Sequence, residues 1–292
     1  MAITGAQKVR VLAKLFWSSR PISWINTAFP FGAAYYFSTE RLDWIFWVGN
    51  LFFLIPYNLL MYGVNDVFDY ESDLRNPRKG GIEGALLDPK YHRATLAWAF
   101  SLSIPPALVL SFSNPEAAWL LWLTLFMVVA YSIKNLRFKE IPFLDSLTSS
   151  IHFVGPMLVG FAIAGVDLLQ KHLMLGTAAF LLWGMASHAF GAVQDVRADR
   201  EAKIKSIATQ IGARLTVRLA TFGYLFAGLL ALALPGRYIQ FAIAAIPYLF
   251  VVGRFWNITD DRCEEANRGW KIFIWLNFFA GAVVCATLIG PS

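Results

Sequence analysis

Charge is scarce in this chain, and so are the residues that cross-link or ligate. Only 15% of the 292 residues are charged against 57% hydrophobic, and the mean hydropathy is +0.53. That balance excludes a soluble domain of this size. There are two cysteines, Cys263 in a connection and Cys285 in the last apolar run, too few and too differently placed for a disulfide framework. The four histidines and two cysteines never cluster at ligand spacing, which argues against zinc. No Pro/Gly/Ser-rich linker or low-complexity stretch divides the chain, so a single domain over residues 1–292 is expected. The net charge of +6 needs no nucleic-acid partner, because basic residues at membrane boundaries set orientation and meet anionic headgroups.

What the chain does have is length without charge. Nine runs contain no Asp, Glu, Lys or Arg, at about 21–39, 44–65, 94–115, 117–133, 146–166, 172–194, 219–236, 238–253 and 272–292. Most approach the ~20 residues that carry a helix across the hydrocarbon. An all-α polytopic membrane protein with nine spans is predicted. The positions of the basic residues test that number, since Lys and Arg collect on every second connection of a correctly counted membrane protein. Of the 25, only Arg41, Lys171 and Arg237 fall in the odd set. The N-terminus is therefore expected in the cytoplasm and the C-terminus outside. Acidic residues feel little topological bias, yet only Glu40, Asp43, Glu116 and Asp167 of the 19 lie on the outer side. The chemistry is expected to open on the cytoplasmic face.

Two long connections carry that acidity. One begins Asn65-Asp66-Val67-Phe68-Asp69-Tyr70-Glu71-Ser72-Asp73, and the other Gln194-Asp195-Val196-Arg197-Ala198-Asp199. They lie four spans apart, which suggests a four-helix duplication. If the second span continues as a helix, Asn65, Asp69 and Asp73 advance only about 40° at each step and share one face with Asp66. Asp195 and Asp199 repeat the spacing, so the two helix ends could face each other.

Carboxylates ~6 Å apart at an effective dielectric near 20 repel by roughly 2 to 3 kcal/mol per pair. A hard divalent cation relieves that repulsion. Mg²⁺ is the natural choice, because it takes a few carboxylates and completes its octahedron with water and phosphate oxygens. Asn65, Asp69, Asp73, Asp195 and Asp199 are the expected metal ligands, and these aspartates with Asp66 the expected catalytic set. Cations surround both motifs: Arg75, Arg78 and Lys79 follow the first, Arg200 and Lys203 lie in the second, and Lys134, Arg137 and Lys139 line the connection after span four. A departing diphosphate needs such donors, and Arg200 is counted among the residues expected to bind it.

Within the spans, Asn58 lies two turns from Asp66 and His188 two turns from Asp195. Either could hold water or accept a proton, although a helix-to-helix hydrogen bond is the commoner use of such residues. His152 reads more simply as packing. Aromatic residues make up 16% of the chain and offer faces to a carbocation, but Tyr62, Phe68 and Trp183 near the motifs are first of all packing residues.

In this topology the two motifs resemble those of the UbiA superfamily of intramembrane prenyltransferases. NDxxDxxxD is matched by Asn65, Asp66, Asp69 and Asp73, and DxxxD by Asp195 and Asp199. The resemblance covers essentially the whole chain. It implies nine helices around an apolar chamber, Mg²⁺ held by both motifs, and a prenyl diphosphate donor bound through the metals. It also implies phosphate contacts from Arg20, Arg78, Lys134 and Lys203. Tyr131-Ser132-Ile133-Lys134 is one residue shorter than the Tyr-x-x-x-Lys many members carry.

Within the superfamily, SSRPISWINTAFPFG, YGVNDVFDYESDLRNPRKGGIEGALL and GAVQDVRADREAKIKSIATQIGAR are similar to segments of the bacterial lycopene elongases. That likeness implies addition of a five-carbon unit from dimethylallyl diphosphate to the ends of membrane-dissolved lycopene, with hydroxylation to flavuxanthin-type products. An aromatic or quinone precursor is the alternative acceptor. A transporter is the alternative of another class, but its ionisable residues would line a path through the bilayer instead of stopping at one face.

Overall fold

The structure, a computed structural model, describes residues 5–74 and 86–290; of residues 5–11 and 72 it describes the backbone only. Among the described residues there are helices and no strands. Eight helical segments are long and apolar enough to cross a membrane: Trp44–Phe68, Pro89–Ser111, Pro115–Ser132, Leu144–Ile163, Lys171–Val193, Ala213–Leu232, Gly236–Gly253 and Asp260–Ile289. The first of the nine expected spans forms a 3-10 turn, Pro21–Ser23, and a helix α2, Ile25–Thr39, of 15 residues. At 1.5 Å per residue α2 is about 22 Å long, short of the ~30 Å hydrocarbon layer. The all-helical membrane class therefore holds, while the count of membrane-length helices is eight among the described residues.

The described residues fall into two compact units. The first runs to Arg137 and also takes in Gly155–Val166. It holds α1 (Gly5–Ser18), α2, α3 (Trp44–Leu54), α4 (Pro56–Phe68), α5 (Tyr70–Asp73), α6 (His92–Ser111), α7 (Pro115–Ser132) and the latter part of α8 (Leu144–Ile163). Its core is aromatic: Phe31, Phe52, Phe53 and Tyr57 are each at most 1% exposed, and Phe53 lies 5.1 Å from both Phe31 and Tyr57 between ring centres. Gly49 makes room for Phe31, since a Cβ there would lie 2.1 Å from the ring.

The membrane-length segment Trp44–Phe68 is broken at Ile55 because Pro56 has no amide hydrogen to continue the ladder. Asn58 repairs the break, its Nδ2 donating to the carbonyls of Phe53 (2.8 Å) and Leu54 (3.0 Å), while Thr27 Oγ1 donates to Phe53 O at 2.7 Å. Of the two uses open to Asn58, the structure shows the helix-to-helix one.

The second unit contains Phe138–Val154 and the chain from Asp167. It holds the first part of α8, then α9 (Lys171–Val193), α10 (Val196–Glu201), α11 (Ile207–Ile211), α12 (Ala213–Leu232), α13 (Ala242–Gly253) and α14 (Asn267–Ile289). Tyr224 and Tyr248 stack at 5.0 Å and Trp270 on Phe273 at 4.6 Å. Trp183 joins this cluster 5.8 Å from Tyr248, which is the packing role expected of it. A Cβ on Gly184 would come 2.3 Å from Ser150 Oγ and 3.1 Å from Ser150 Cα, so only glycine lets α8 and α9 approach this closely. Ser150 Oγ uses that approach to donate to Leu181 O at 2.7 Å.

α12 and α14 start several residues before the charge-free runs do. A helix tolerates charges on its first turns where it leaves the hydrocarbon, so absence of charge marks the bilayer and not the helix end.

Candidate active site

The first motif is built by the end of α4. The helix stops at Phe68, Asp69 adopts φ −102° and ψ −1°, and α5 resumes at Tyr70. Turn-to-turn bonding survives this step: Asp69 N donates to Asn65 O (2.9 Å) and Asp73 N to Asp69 O (2.8 Å). Asn65, Asp69 and Asp73 therefore occupy consecutive turns, as the spacing predicts. Asn65 Nδ2 donates to Asp69 Oδ2 at 2.8 Å and to Ser132 Oγ at 3.0 Å, so both bonds use the amide nitrogen and turn the amide oxygen the other way. Asp69 and Asp73 are only 8% and 6% exposed.

Asp66 is engaged differently. It is 1% exposed, accepting from Arg20 Nη2 at 3.0 Å and from Ser18 Oγ at 3.1 Å. Arg20 lies over the Tyr62 ring at 4.2 Å. Burial alone would lower the Arg20 pKa; the adjacent Asp66 charge and hydrogen bond, with help from Asp73, outweigh it and raise the pKa above its ordinary value. Arg20 is thus a permanent cation within reach of two motif carboxylates. Its buried Nε makes no hydrogen bond among the described residues, an orphan donor of the kind an anionic oxygen satisfies.

Arg137 was only one of several cations on its connection by sequence, yet the structure brings it to the motif. Its Nη2 lies 3.4 Å from Asp69 Oδ1. After α7 ends, Asn135 (φ 78°) and Arg137 (φ 41°) turn the chain back in the left-handed region. Lys134 lies exposed on that turn, three residues before the side chain that meets the acid. The shortened Tyr131-to-Lys134 spacing is the sequence feature that falls on this turn.

The second motif repeats the helical step. α9 ends at Val193, Asp195 has φ −99° and ψ −3°, and α10 follows, with Asp199 N donating to Asp195 O at 2.8 Å. Both aspartates are half-buried. Arg200 turns to the next loop, donating to Asp260 Oδ2 at 2.6 Å and to Thr209 O at 3.1 and 3.3 Å. Asp260 also accepts from Ala213 N at 2.7 Å, capping α12, and Asp145 Oδ2 accepts from Ile207 N at 2.7 Å, capping α11. The loop after the motif is pinned at three points, and Lys203 projects from it, exposed, at φ 59°. Arg78, with Arg75 and Lys79, lies outside the described residues.

Three candidate cations, Arg20, Arg137 and Lys203, hold left-handed backbone that costs a non-glycine residue of order 1 to 2 kcal/mol. Such conformations persist where surrounding structure over-determines them, commonly at functional sites.

The donor set fits a hard divalent cation. Each motif offers oxygen ligands on consecutive turns; among the described residues no group of three or more His, Cys, Asp and Glu stands together so as to hold a metal ion by itself. Mg²⁺ suits such a set, binding through one or two carboxylates and taking its remaining ligands from water and substrate phosphate.

Residues 27–278 match the UbiA prenyltransferase family. The chain is 54% identical to the lycopene elongase/hydratase of Corynebacterium glutamicum, over 97% of its own length and 98% of that protein. It is 51% identical to the C(50) beta-cyclic carotenoids biosynthesis protein LbtBC of a Dietzia species, over 96% of its length and 64% of that longer protein. In fold it is similar to the UbiA homolog from Archaeoglobus fulgidus bound to DMAPP and Mg²⁺, with TM-score 0.69 and 17% identity over 92% of this chain and 99% of that one. A UbiA homolog from Aeropyrum pernix K1 aligns with TM-score 0.64 and 18% identity over 94% and 96% of the two chains. Apolar helices of membrane length, two acid motifs on helix ends and a family match across most of the sequence agree: this chain belongs to the UbiA prenyltransferase family and is an integral membrane prenyltransferase.

Proposed function

We propose that this enzyme transfers the five-carbon group of dimethylallyl diphosphate to the ends of lycopene and hydroxylates the product. The observation that carries this reading is the 54% identity, over nearly the full length of both chains, to a lycopene elongase/hydratase. The family match crosses both compact units, which supports reading residues 1–292 as one catalytic domain. Basic residues concentrated on alternate connections support a cytoplasmic N-terminus and motif side.

Asp69, Asp73, Asp195 and Asp199, with the Asn65 amide oxygen, are the ligands we assign to Mg²⁺. When bound, Mg²⁺ neutralises charge on the diphosphate and stabilises it as a leaving group. Arg20 is held charged and aimed by Asp66, which makes Asp66 a positioning residue for it. Arg137 and the exposed Lys134 and Lys203 supply further positive charge to phosphate oxygens, as does Arg78 by its place in the sequence. Arg200 serves by bolting the loop that carries Lys203. The donor's carbon–oxygen bond breaks, its electron pair leaves with diphosphate, and the terminal double bond of the acceptor forms the new carbon–carbon bond. An apolar surround keeps water from the allylic cation until that bond exists.

The test uses membranes containing the protein, supplied with isotope-labelled dimethylallyl diphosphate and either lycopene or an aromatic acid. The expected product is lycopene enlarged by hydrated five-carbon units, lost on chelation with EDTA and restored by Mg²⁺. Prenylation of the aromatic acid alone, or lycopene products that survive chelation, would overturn the reading.

A further inference from the structure

α1 carries a surface that the prenyl-transfer chemistry leaves unused. The helix has 14 residues and contains Lys8, Arg10 and Lys14. At 1.5 Å per residue it is about 21 Å long, too short and too charged to cross the hydrocarbon. No acidic residue occurs before Glu40.

From Leu12 to Ser18 the helix has two faces of different use. Leu15 is buried in the core of the first unit, and Ser18 is buried against Asp66, donating to its Oδ2 at 3.1 Å. Leu12, Phe16 and Trp17 are 58%, 47% and 64% exposed. At 100° per residue these three share with Ala13 an arc of about 140°. Lys14, also exposed, borders it. Phe16 meets Trp17 and Trp24 edge-on at 5.4 and 5.5 Å, so the apolar arc continues as an aromatic patch beyond the end of the helix.

Exposed Leu, Phe and Trp beside cations, on a helix too short to span, suit a place in the plane of the headgroup layer. There the rings enter the acyl boundary and the cations meet lipid phosphates. With no acid on α1 to neutralise them, its three cations favour an anionic leaflet over a neutral one. A second copy of this chain would bring the same cations to the contact and repel. The position of α1 gives the contact a consequence. Two residues after it ends, Arg20 turns the chain at φ 50° and reaches Asp66 Oδ1 at 3.0 Å. Whatever fixes α1 therefore also fixes Ser18 and Arg20 on the first motif.

We propose that α1 docks on anionic lipid of the membrane the enzyme spans, and that this docking holds Ser18 and Arg20 at Asp66. The docking stands by itself, while its effect on turnover rests on the elongation reading above. In neutral lipid α1 is released from the surface, the two contacts to Asp66 loosen, and the donor diphosphate loses the aim of Arg20.

The test uses the full chain in liposomes of equimolar phosphatidylglycerol and phosphatidylcholine. Trp17 fluorescence, taken as the difference between each protein and its Trp17→Phe form, is measured with bromine on the acyl chains of one lipid or of the other. Quenching is expected to be at least roughly twofold stronger when the phosphatidylglycerol is brominated, and equal for the two lipids in a Lys8→Gln, Arg10→Gln, Lys14→Gln triple variant. The apparent KM for dimethylallyl diphosphate, with lycopene as acceptor, is expected to rise at least roughly fivefold in phosphatidylcholine alone, and equally for the triple variant in mixed liposomes. A KM does not depend on the fraction of protein that is folded, so lost stability alone leaves it in place. Arg268→Gln with Lys271→Gln removes two exposed cations of α14 and is the control, expected to keep both responses. Equal quenching by the two brominated lipids in wild type overturns the inference and means that something other than anionic lipid covers α1. A KM that does not change between the lipids overturns the coupling to Asp66. If wild type elongates no lycopene in either lipid, the elongation reading falls while the fluorescence still decides the docking.

Discussion

Both acid motifs stand where a long helix stops, and the backbone stops in the same way. Asp69 and Asp195 differ by only a few degrees in φ and ψ, and each carbonyl accepts from the aspartate four residues later at 2.8 Å. Their surroundings differ. The first motif is enclosed, with Asp66 gripped by Arg20 and Ser18 and Asp69 met by Arg137 and Asn65. The second is half-buried, and one of its cations, Arg200, is committed to Asp260 and Thr209. The first motif is thus met by arginines of its own unit, and the loop that follows the second is anchored by Arg200. Spacing fixes how the ligands are presented, and packing decides how much each carboxylate depends on its neighbours.

The comparison breaks most sharply if either motif proves dispensable. Asp69→Ala and Asp195→Ala are each expected to reduce prenyl transfer by about 10³-fold or more, since each removes an oxygen ligand assigned to the metal that stabilises the leaving group. Product formation by purified, correctly folded variants checks this, and near-normal turnover in either one would remove its motif from the chemistry.

A smaller but still large effect separates the two arginines. Arg20→Ala strands the fully buried Asp66 carboxylate and should cost about 3 kcal/mol of stability, with Arg20→Met combined with Asp66→Leu recovering part of it. Arg200 and Asp260 are 45% and 40% exposed, so Arg200→Ala should cost under about 1 kcal/mol. Thermal unfolding in one detergent orders them, and equal losses would deny the contrast.

The smallest effect concerns strain. Lys203→Gly relieves a left-handed backbone at an exposed side chain and should raise stability by about 0.5 kcal/mol, while lowering prenyl transfer through the lost cation. A variant neither more stable nor less active would leave the strained lysine without a function.

Much of the site was legible in the sequence because carboxylates at a helical period need a helix and little else. Asn65, Asp69 and Asp73 occupy consecutive turns as expected, with one near-helical residue at Asp69 that periodicity cannot reveal. Arg137 was not singled out because its approach depends on two left-handed residues after α7, a loop conformation with no sequence period. Arg200, expected at phosphate, meets Asp260 sixty residues away. Asn58 was open to two readings until Pro56 left carbonyls beside it that needed donors.

Sequence alone determined that this is a helical membrane protein, where its apolar segments run and which two motifs carry its acids. Those properties follow from hydrocarbon thickness and helical repeat, both of which act within one segment. Tertiary structure alone decided which cation meets which carboxylate, that α2 is shorter than a membrane span, and that Ser146 rests against His188. These depend on contacts between distant segments, where packing in three dimensions selects among partners that charge and spacing leave equivalent.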